Sequence, residues 1–227
     1  MSNALAIASG KGGVGKTTIS VNLALSQANK KKCLLLDADM GMANAHILLG
    51  INPKTTVREV IEGNSSLENA IVEAPNNLKF LSGGSGITEL LNVNESKKFN
   101  FIRSFDRLSN LINYLMIDVS AGADEMALNM ISASDKVLVV LVNEPTSFMD
   151  AFTLIKVCNL ELKFKEFCLV TNMVNSEKEG KEIYKKFNEI VTKFYDVNIT
   201  YVGSILNMKE IKTSILKKSP AILNKNN

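Results

Sequence analysis

The residues best equipped to do chemistry lie near the N-terminus, where Gly10-Lys11-Gly12-Gly13-Val14-Gly15-Lys16-Thr17-Thr18 follows the apolar run Ala4-Leu-Ala-Ile-Ala. Gly10, four residues, then Gly15-Lys16-Thr17 is the spacing of a phosphate-binding loop, set between a strand and a helix as such a loop requires. Gly10, Gly12, Gly13 and Gly15 let successive backbone N–H groups turn inward on phosphate oxygens, and the helix that follows adds the partial positive charge of its N-terminus. Lys16 supplies a point charge for the β- and γ-phosphates, and the Thr17 hydroxyl is a Mg2+ ligand. Val14 and Thr18 complete the stretch that wraps a nucleotide's phosphate chain. An ordinary glycine-rich turn has no need of all these residues in register.

Two further segments bring carboxylates. Cys33-Leu-Leu-Leu-Asp37-Ala-Asp39 is an apolar strand ending in two acids at i and i+2, which share a direction as long as the chain stays extended. They fall at the carboxyl edge of a strand, where open α/β sheets bind ligands. Tyr114-Leu-Met-Ile-Asp118 is a second apolar strand closed by a carboxylate, the arrangement that holds Mg2+ through a water in nucleotide hydrolases. Such a pattern is common by chance and gains its weight from following the other two in order. Gly122, four residues on, lets a backbone N–H approach a γ-phosphate and makes 118–124 a nucleotide-sensitive segment.

Positioning these residues takes an alternation of short apolar runs with longer amphipathic ones, the pattern of a mostly parallel sheet with helices on both faces. Strands are predicted near 4–8, 33–37, 78–81, 114–118, 136–142, 166–171 and 199–203. Helices are predicted near 16–29, 43–49, 56–62, 66–73, 86–91, 95–111, 124–132, 147–159, 176–194 and 208–217. The fold class is α/β, a three-layer doubly wound sheet, in one domain spanning 1–227, since no Pro-, Gly- or Ser-rich linker interrupts it. The Lys/Asn-rich tail 224–227 is expected to fray.

Composition narrows the classes. The 227 residues carry 26 basic and 23 acidic side chains, a net +3, and are 46% hydrophobic, which excludes disorder and collagen-like structure. The charge is uneven: residues 1–150 balance at −2 and residues 151–227 at +5. Cys33, Cys158 and Cys168 include no C-x-x-C pair, so neither a disulfide framework nor a zinc or iron–sulfur site is suggested, and a reducing cytoplasm is the simplest compartment. The longest apolar runs are strand-length, far short of the ~20 residues of a membrane span. No secretory leader is apparent. His46, the single histidine, has no second histidine to form a metal cluster and is expected at the surface.

Lys11-Gly-Gly-Val-Gly-Lys16-Thr17 carries a second lysine inside the loop, and in this the sequence resembles the deviant phosphate-loop ATPases of the MinD/ParA group. The resemblance implies ATP and Mg2+ as cofactors and a homodimer when ATP is bound, with Lys11 reaching across the interface to the partner's nucleotide. It assigns Asp37 to the shell around Mg2+, beside Thr17 and Asp118, and Asp39 to orienting the attacking water. Lys11, Lys16 and Asp39 are then the catalytic set. Asn113 stands where the family often has Asp, a departure at a strand start, away from the chemistry. Val142-Asn-Glu144-Pro-Thr146-Ser147-Phe-Met-Asp150 resembles the strand-to-helix element of the MinD and FlhG branches. It offers Glu144 and Asp150 as interface residues, with Asp150 within reach of Lys11 in one nucleotide state. Capping by Thr146 or Ser147, with Asp150 in the first turn, would explain the same residues structurally. Asn172 matches the family's adenine-side strand end, although an Asn at a strand end is also an ordinary turn former. The following loop, Gly203-Ser-Ile-Leu206-Asn207-Met208, is expected to close over the base, and departs from the family's usual Ile-Pro-x-Asp. Asp39-Met-Gly-Met-Ala-Asn, Leu81-Ser-Gly-Gly-Ser-Gly86 and Glu144-Pro-Thr-Ser together look more like FlhG, the flagellar number regulator, than like chromosome or plasmid ParA.

The expected function is an ATP-dependent dimerisation switch that hydrolyses slowly and regulates flagellar number and placement or division-site selection, in contact with a protein of that machinery. A ParA-like DNA-segregation ATPase is the alternative. The +5 of residues 151–227 keeps DNA open, but only three Arg (58, 103, 107) occur and lysines spread on helix faces are usually solvated. Iron–sulfur relatives need interface cysteines that this chain does not offer, and Asp39 argues against a scaffold that only binds nucleotide. The length suggests a bare ATPase core with weak or absent membrane binding of its own, cytoplasmic, reaching the inner membrane peripherally through partners.

Overall fold

The computed structural model describes residues 3–39, 44–84, 95–108 and 111–224. In chain order the first part runs β1 (Asn3–Ser9), α1 (Lys16–Ala28), β2 (Cys33–Ala38), α2 (Ala45–Leu49), α3 (Val57–Ile61), α4 (Leu67–Ala70), β3 (Val72–Ala74) and β4 (Leu78–Ser82). It continues α5 (Glu95–Arg107), β5 (Tyr114–Ala121), α6 (Glu125–Ser132), β6 (Lys136–Val142), α7 (Pro145–Leu162), β7 (Glu166–Val174), α8 (Glu177–Phe194), β8 (Asn198–Leu206) and α9 (Lys209–Leu216). The strands form an eight-stranded sheet in the order β3-β4-β2-β5-β1-β6-β7-β8. Its β1–β6, β2–β4, β6–β7 and β7–β8 pairs are parallel, and β3 is antiparallel to β4.

The chain divides into two compact units. The first comprises Met1–Ala4, Thr17–Asp118 and Thr213–Asn227. Every residue of β2 is buried, as a parallel strand covered on both faces must be, and the run Cys33-Leu-Leu-Leu therefore shows no polar alternation. Its neighbour β4 pairs Asp37 with Ser82, and the Gly83 N–H donates to the Asp37 carbonyl at 2.9 Å. The second unit comprises Leu5–Lys16 and Val119–Lys212. Here β6 is buried from Val137 through Val142 and is flanked by β1 and β7, again a fully covered strand. α7 and α8 meet through an edge-to-face Phe148–Phe187 pair with centroids 5.6 Å apart.

Several elements differ from the sequence expectation. The helix predicted over 66–73 ends at Ala70, capped at its start by the Ser66 hydroxyl, and the chain turns into β3. Pro75 and the left-handed Asn76 and Asn77 fold β3 back against β4, a tertiary pairing that a three-residue strand cannot announce by periodicity. β5, β7 and β8 run past their predicted ends at Asp118, Thr171 and Gly203, because the polar residues there stay in the strand ladder. α7 begins at Pro145 rather than Ser147, with Glu144 as N-cap and no side-chain capping bond. Ser147 instead accepts the Val142 N–H at 3.2 Å, and Asp150 lies beyond the first turn. The helix expected over 86–91 and the tail residues 225–227 lie outside the described residues. Among the described residues, no helix is long and apolar enough to cross a membrane.

Candidate nucleotide-binding site

The phosphate loop lies in the second unit and follows directly from β1. Lys16 opens α1 and is only 6% exposed, so its amine is sequestered at a helix start. Gly15 has φ +88, in the left-handed region, and a Cβ there would run into the amide nitrogen of Asn172. Gly10 is constrained differently: a Cβ would strike the Asp150 backbone in α7, so the loop lies flush against that helix. Ser9, at the end of β1, donates its hydroxyl to the Lys11 carbonyl at 2.9 Å and shapes the turn.

Asn172 occupies the end of β7 and is 6% exposed. Its Nδ2 donates to the Val14 carbonyl at 2.7 Å, so the residue anchors the loop across 158 positions of sequence. This anchoring role was not legible from the strand-end position, which suggested only base contact or a turn. Met173 follows with φ +57 beside the Gly15 position, and the Asn207 N–H donates to the Val174 carbonyl at 2.9 Å, which brings 206–208 to the end of β7. Leu206 and Met208 are exposed there. The Gly122 N–H donates to the Ser9 carbonyl at 2.9 Å and Gly122 has φ +100, so any approach to a phosphate requires that bond to open.

Lys11 does not meet Asp150. Its Nζ lies 2.6 Å from Glu144 Oε2 and 3.0 Å from Thr146 Oγ1, at the start of α7. The pair is 38% and 55% exposed, so solvent screening keeps it weak, about 0–1 kcal/mol. Glu144 is thus an N-cap by backbone and the partner of Lys11 by side chain, and Thr146 serves Lys11 rather than capping the helix.

The first unit holds the other set: Thr17 on α1, Asp37 on β2, Asp39 just beyond it and Asp118 on β5. Asp37 and Asp118 are fully buried. Asp37 accepts the Ala45 N–H at 3.0 Å and the Asp39 N–H at 3.3 Å, so its carboxylate ties both ends of the 39–45 segment to β2. Asp118 accepts the Ser20 hydroxyl at 2.9 Å. A set of one hydroxyl and carboxylates is all hard oxygen, the chemistry Mg2+ prefers. Residues 40–43 of the motif lie outside the described residues. His46 is half-buried in α2 with its Nδ1 shielded from solvent. The buried Cys33 and Cys158 thiols are both pushed up to about 12 by burial, the opposite of what a thiolate cluster ligand needs.

Comparison with known proteins agrees. A family model described as an AAA domain matches residues 2–168. The antiactivator FleN of Pseudomonas aeruginosa is 34% identical over 215 residues, covering 94% of this chain and 77% of FleN. The flagellum site-determining protein YlxH of Helicobacter pylori is 30% identical over 216 residues, covering 94% and 73%. Among solved structures, the MinD cell division protein of Aquifex aeolicus superposes with TM-score 0.79 at 23% identity, over 100% of this chain and 91% of that one. MinD of Pyrococcus horikoshii complexed with Mg-ADP gives 0.77 at 22%, over 99% and 89%. These two share the fold. With a phosphate loop, buried carboxylates on two apolar strands and relatives of this similarity, the chain belongs to the MinD/ParA family of phosphate-loop ATPases, near FlhG.

Proposed function

We propose that this protein is an ATP-dependent dimerisation switch: it binds ATP with Mg2+, pairs face to face with a second copy, hydrolyses slowly and reports its state to a protein of the flagellar or division machinery. The observation that carries the reading is the second lysine of the loop. Lys16 is sequestered at the start of α1, whereas Lys11 stands at the surface in a weak, exchangeable pair with Glu144 and Thr146. A loop cation held outward is suited to another copy's nucleotide.

The roles follow. Lys16 and the loop N–H groups neutralise the β- and γ-phosphates, and Val14, Thr18, Gly122, Asn172 and residues 206–208 surround the rest of the nucleotide. Thr17, with Asp118 and Asp37 in the surrounding shell, holds Mg2+, which when bound neutralises charge on the phosphate oxygens. Asp39 orients a water to add to the γ-phosphorus as the bond to the bridging β–γ oxygen breaks. Lys11 from the second copy stabilises the charge that develops in that step, so hydrolysis waits for dimerisation. Glu144, whose carboxylate meets Lys11, and Asp150, whose backbone lies against Gly10, belong to the same interface. Similarity to FleN and YlxH supports a flagellar role, with work done in the cytoplasm as one domain spanning 1–227, and membrane and DNA binding of its own weak or absent.

Size-exclusion chromatography with light scattering tests this. Asp39→Ala is expected to elute as a dimer with Mg-ATP and as a monomer with Mg-ADP, and Asp39→Ala combined with Lys16→Ala as a monomer throughout. Monomer elution of the Asp39→Ala protein at saturating ATP would refute the switch.

A further inference from the structure

Ser20 lies in the interior of α1, fully buried, between Ile19 and Val21 and one turn from Ala24. Serine is a poor choice for such a position: its helix propensity is below alanine's, and its hydroxyl must be stripped of water. Alanine would satisfy both demands. What the hydroxyl does instead is donate to Asp118 Oδ1 at 2.9 Å, across 98 positions of sequence, with both groups fully buried. A hydrogen bond to a charged acceptor in a buried setting is among the stronger ones, and it fixes the rotation of the carboxylate about its Cβ–Cγ axis.

Helix geometry adds the second observation. Thr17 and Ser20 are three residues apart on α1 and so share a face. One helix face therefore presents the hydroxyl assigned to Mg2+ and, one turn on, the hydroxyl that grips the carboxylate assigned to the water shell of the same ion. From this arrangement we infer that Ser20 is a positioning residue for the metal: its hydroxyl holds Oδ1 of Asp118 and so fixes how that carboxylate faces the metal's water. The inference rests on the nucleotide reading above and adds to it a residue outside the phosphate-loop signature. Outer-sphere partners of this kind change metal affinity by roughly 10–100-fold when removed.

The test measures ADP binding by titration calorimetry across a Mg2+ series and in EDTA, for the wild-type chain, Ser20→Ala and Ser20→Cys. Ser20→Ala is expected to raise the Mg2+ concentration at half-effect by about tenfold or more, while ADP affinity in EDTA stays within about twofold of wild type. Ser20→Cys keeps a weak donor and should fall between the two. It also serves as the decisive variant if Ser20→Ala does not fold. A role in helix packing alone would weaken binding in EDTA as much as in Mg2+, and that result overturns the inference. So does a Mg2+ midpoint unchanged in the folded variant of the pair. Absence of Mg2+-dependent ADP binding by the wild-type protein would overturn the nucleotide reading itself, and this proposal with it.

Discussion

Replacing Asn172 with alanine separates two tasks that this one side chain is asked to perform. Its Nδ2 donates to the Val14 carbonyl at 2.7 Å in a nearly dry setting, 6% exposed. Deleting the donor leaves a carbonyl of the phosphate loop without that partner, at a cost of about 1–3 kcal/mol. If the loop must regain its bound shape when nucleotide enters, the same energy appears in binding as a loss of about 5- to 150-fold in affinity. Two assays read it: urea denaturation without nucleotide, and competition of ADP and GDP against a fluorescent nucleotide. A pure anchor predicts that ADP and GDP weaken equally. A residue that also reads the adenine edge predicts that ADP weakens more, so that the preference for ADP shrinks. A loss of less than about 0.5 kcal/mol in stability, below the usual range for an orphaned buried group, together with unchanged ADP affinity, would refute the anchoring argument.

The remaining predictions concern charge and thiols. Lys11→Ala should leave ADP binding by the monomer intact and abolish the rise of turnover with protein concentration, and unchanged turnover at high concentration would rule out its action on a second copy. Glu144→Gln should shift unfolding stability by no more than about 1 kcal/mol, as suits an exposed pair, so a larger shift would mean the pair is structural. Burial raises the Cys33 and Cys158 thiols to about 12, so the reactive thiolate is scarce at pH 8 and grows only as pH climbs towards that value. Iodoacetamide at pH 8 should therefore spare both in the native protein and modify both in denaturant, as peptide mass spectrometry will show, and native labelling of either would contradict their burial.

Much of the fold was legible because its signals are local. The glycine loop, the unbroken apolar runs of β2 and β6 and the amphipathic span of α8 each announce themselves within a dozen residues, and their order names the sheet. The short β3 did not, because three residues carry no period and its existence depends on where β4 happens to lie. The strand ends were also misjudged, since polar residues such as Asp118 and Thr171 read as terminators although the ladder continues through them.

The sequence by itself determined which residue types suited to phosphate and metal stand together in motifs: Lys16 and Thr17 after a glycine loop, and Asp37, Asp39 and Asp118 in or just beyond apolar runs. Tertiary structure alone decided who holds whom. Lys11 pairs with Glu144 across 133 positions, Asn172 with the Val14 carbonyl across 158, and Ser20 with Asp118 across 98. Hydrogen bonds and ion pairs act over about 3 Å, and chain separation says nothing of distance until the sheet has formed. A motif can therefore state the chemistry, while the partners that aim each side chain are set by which strands become neighbours.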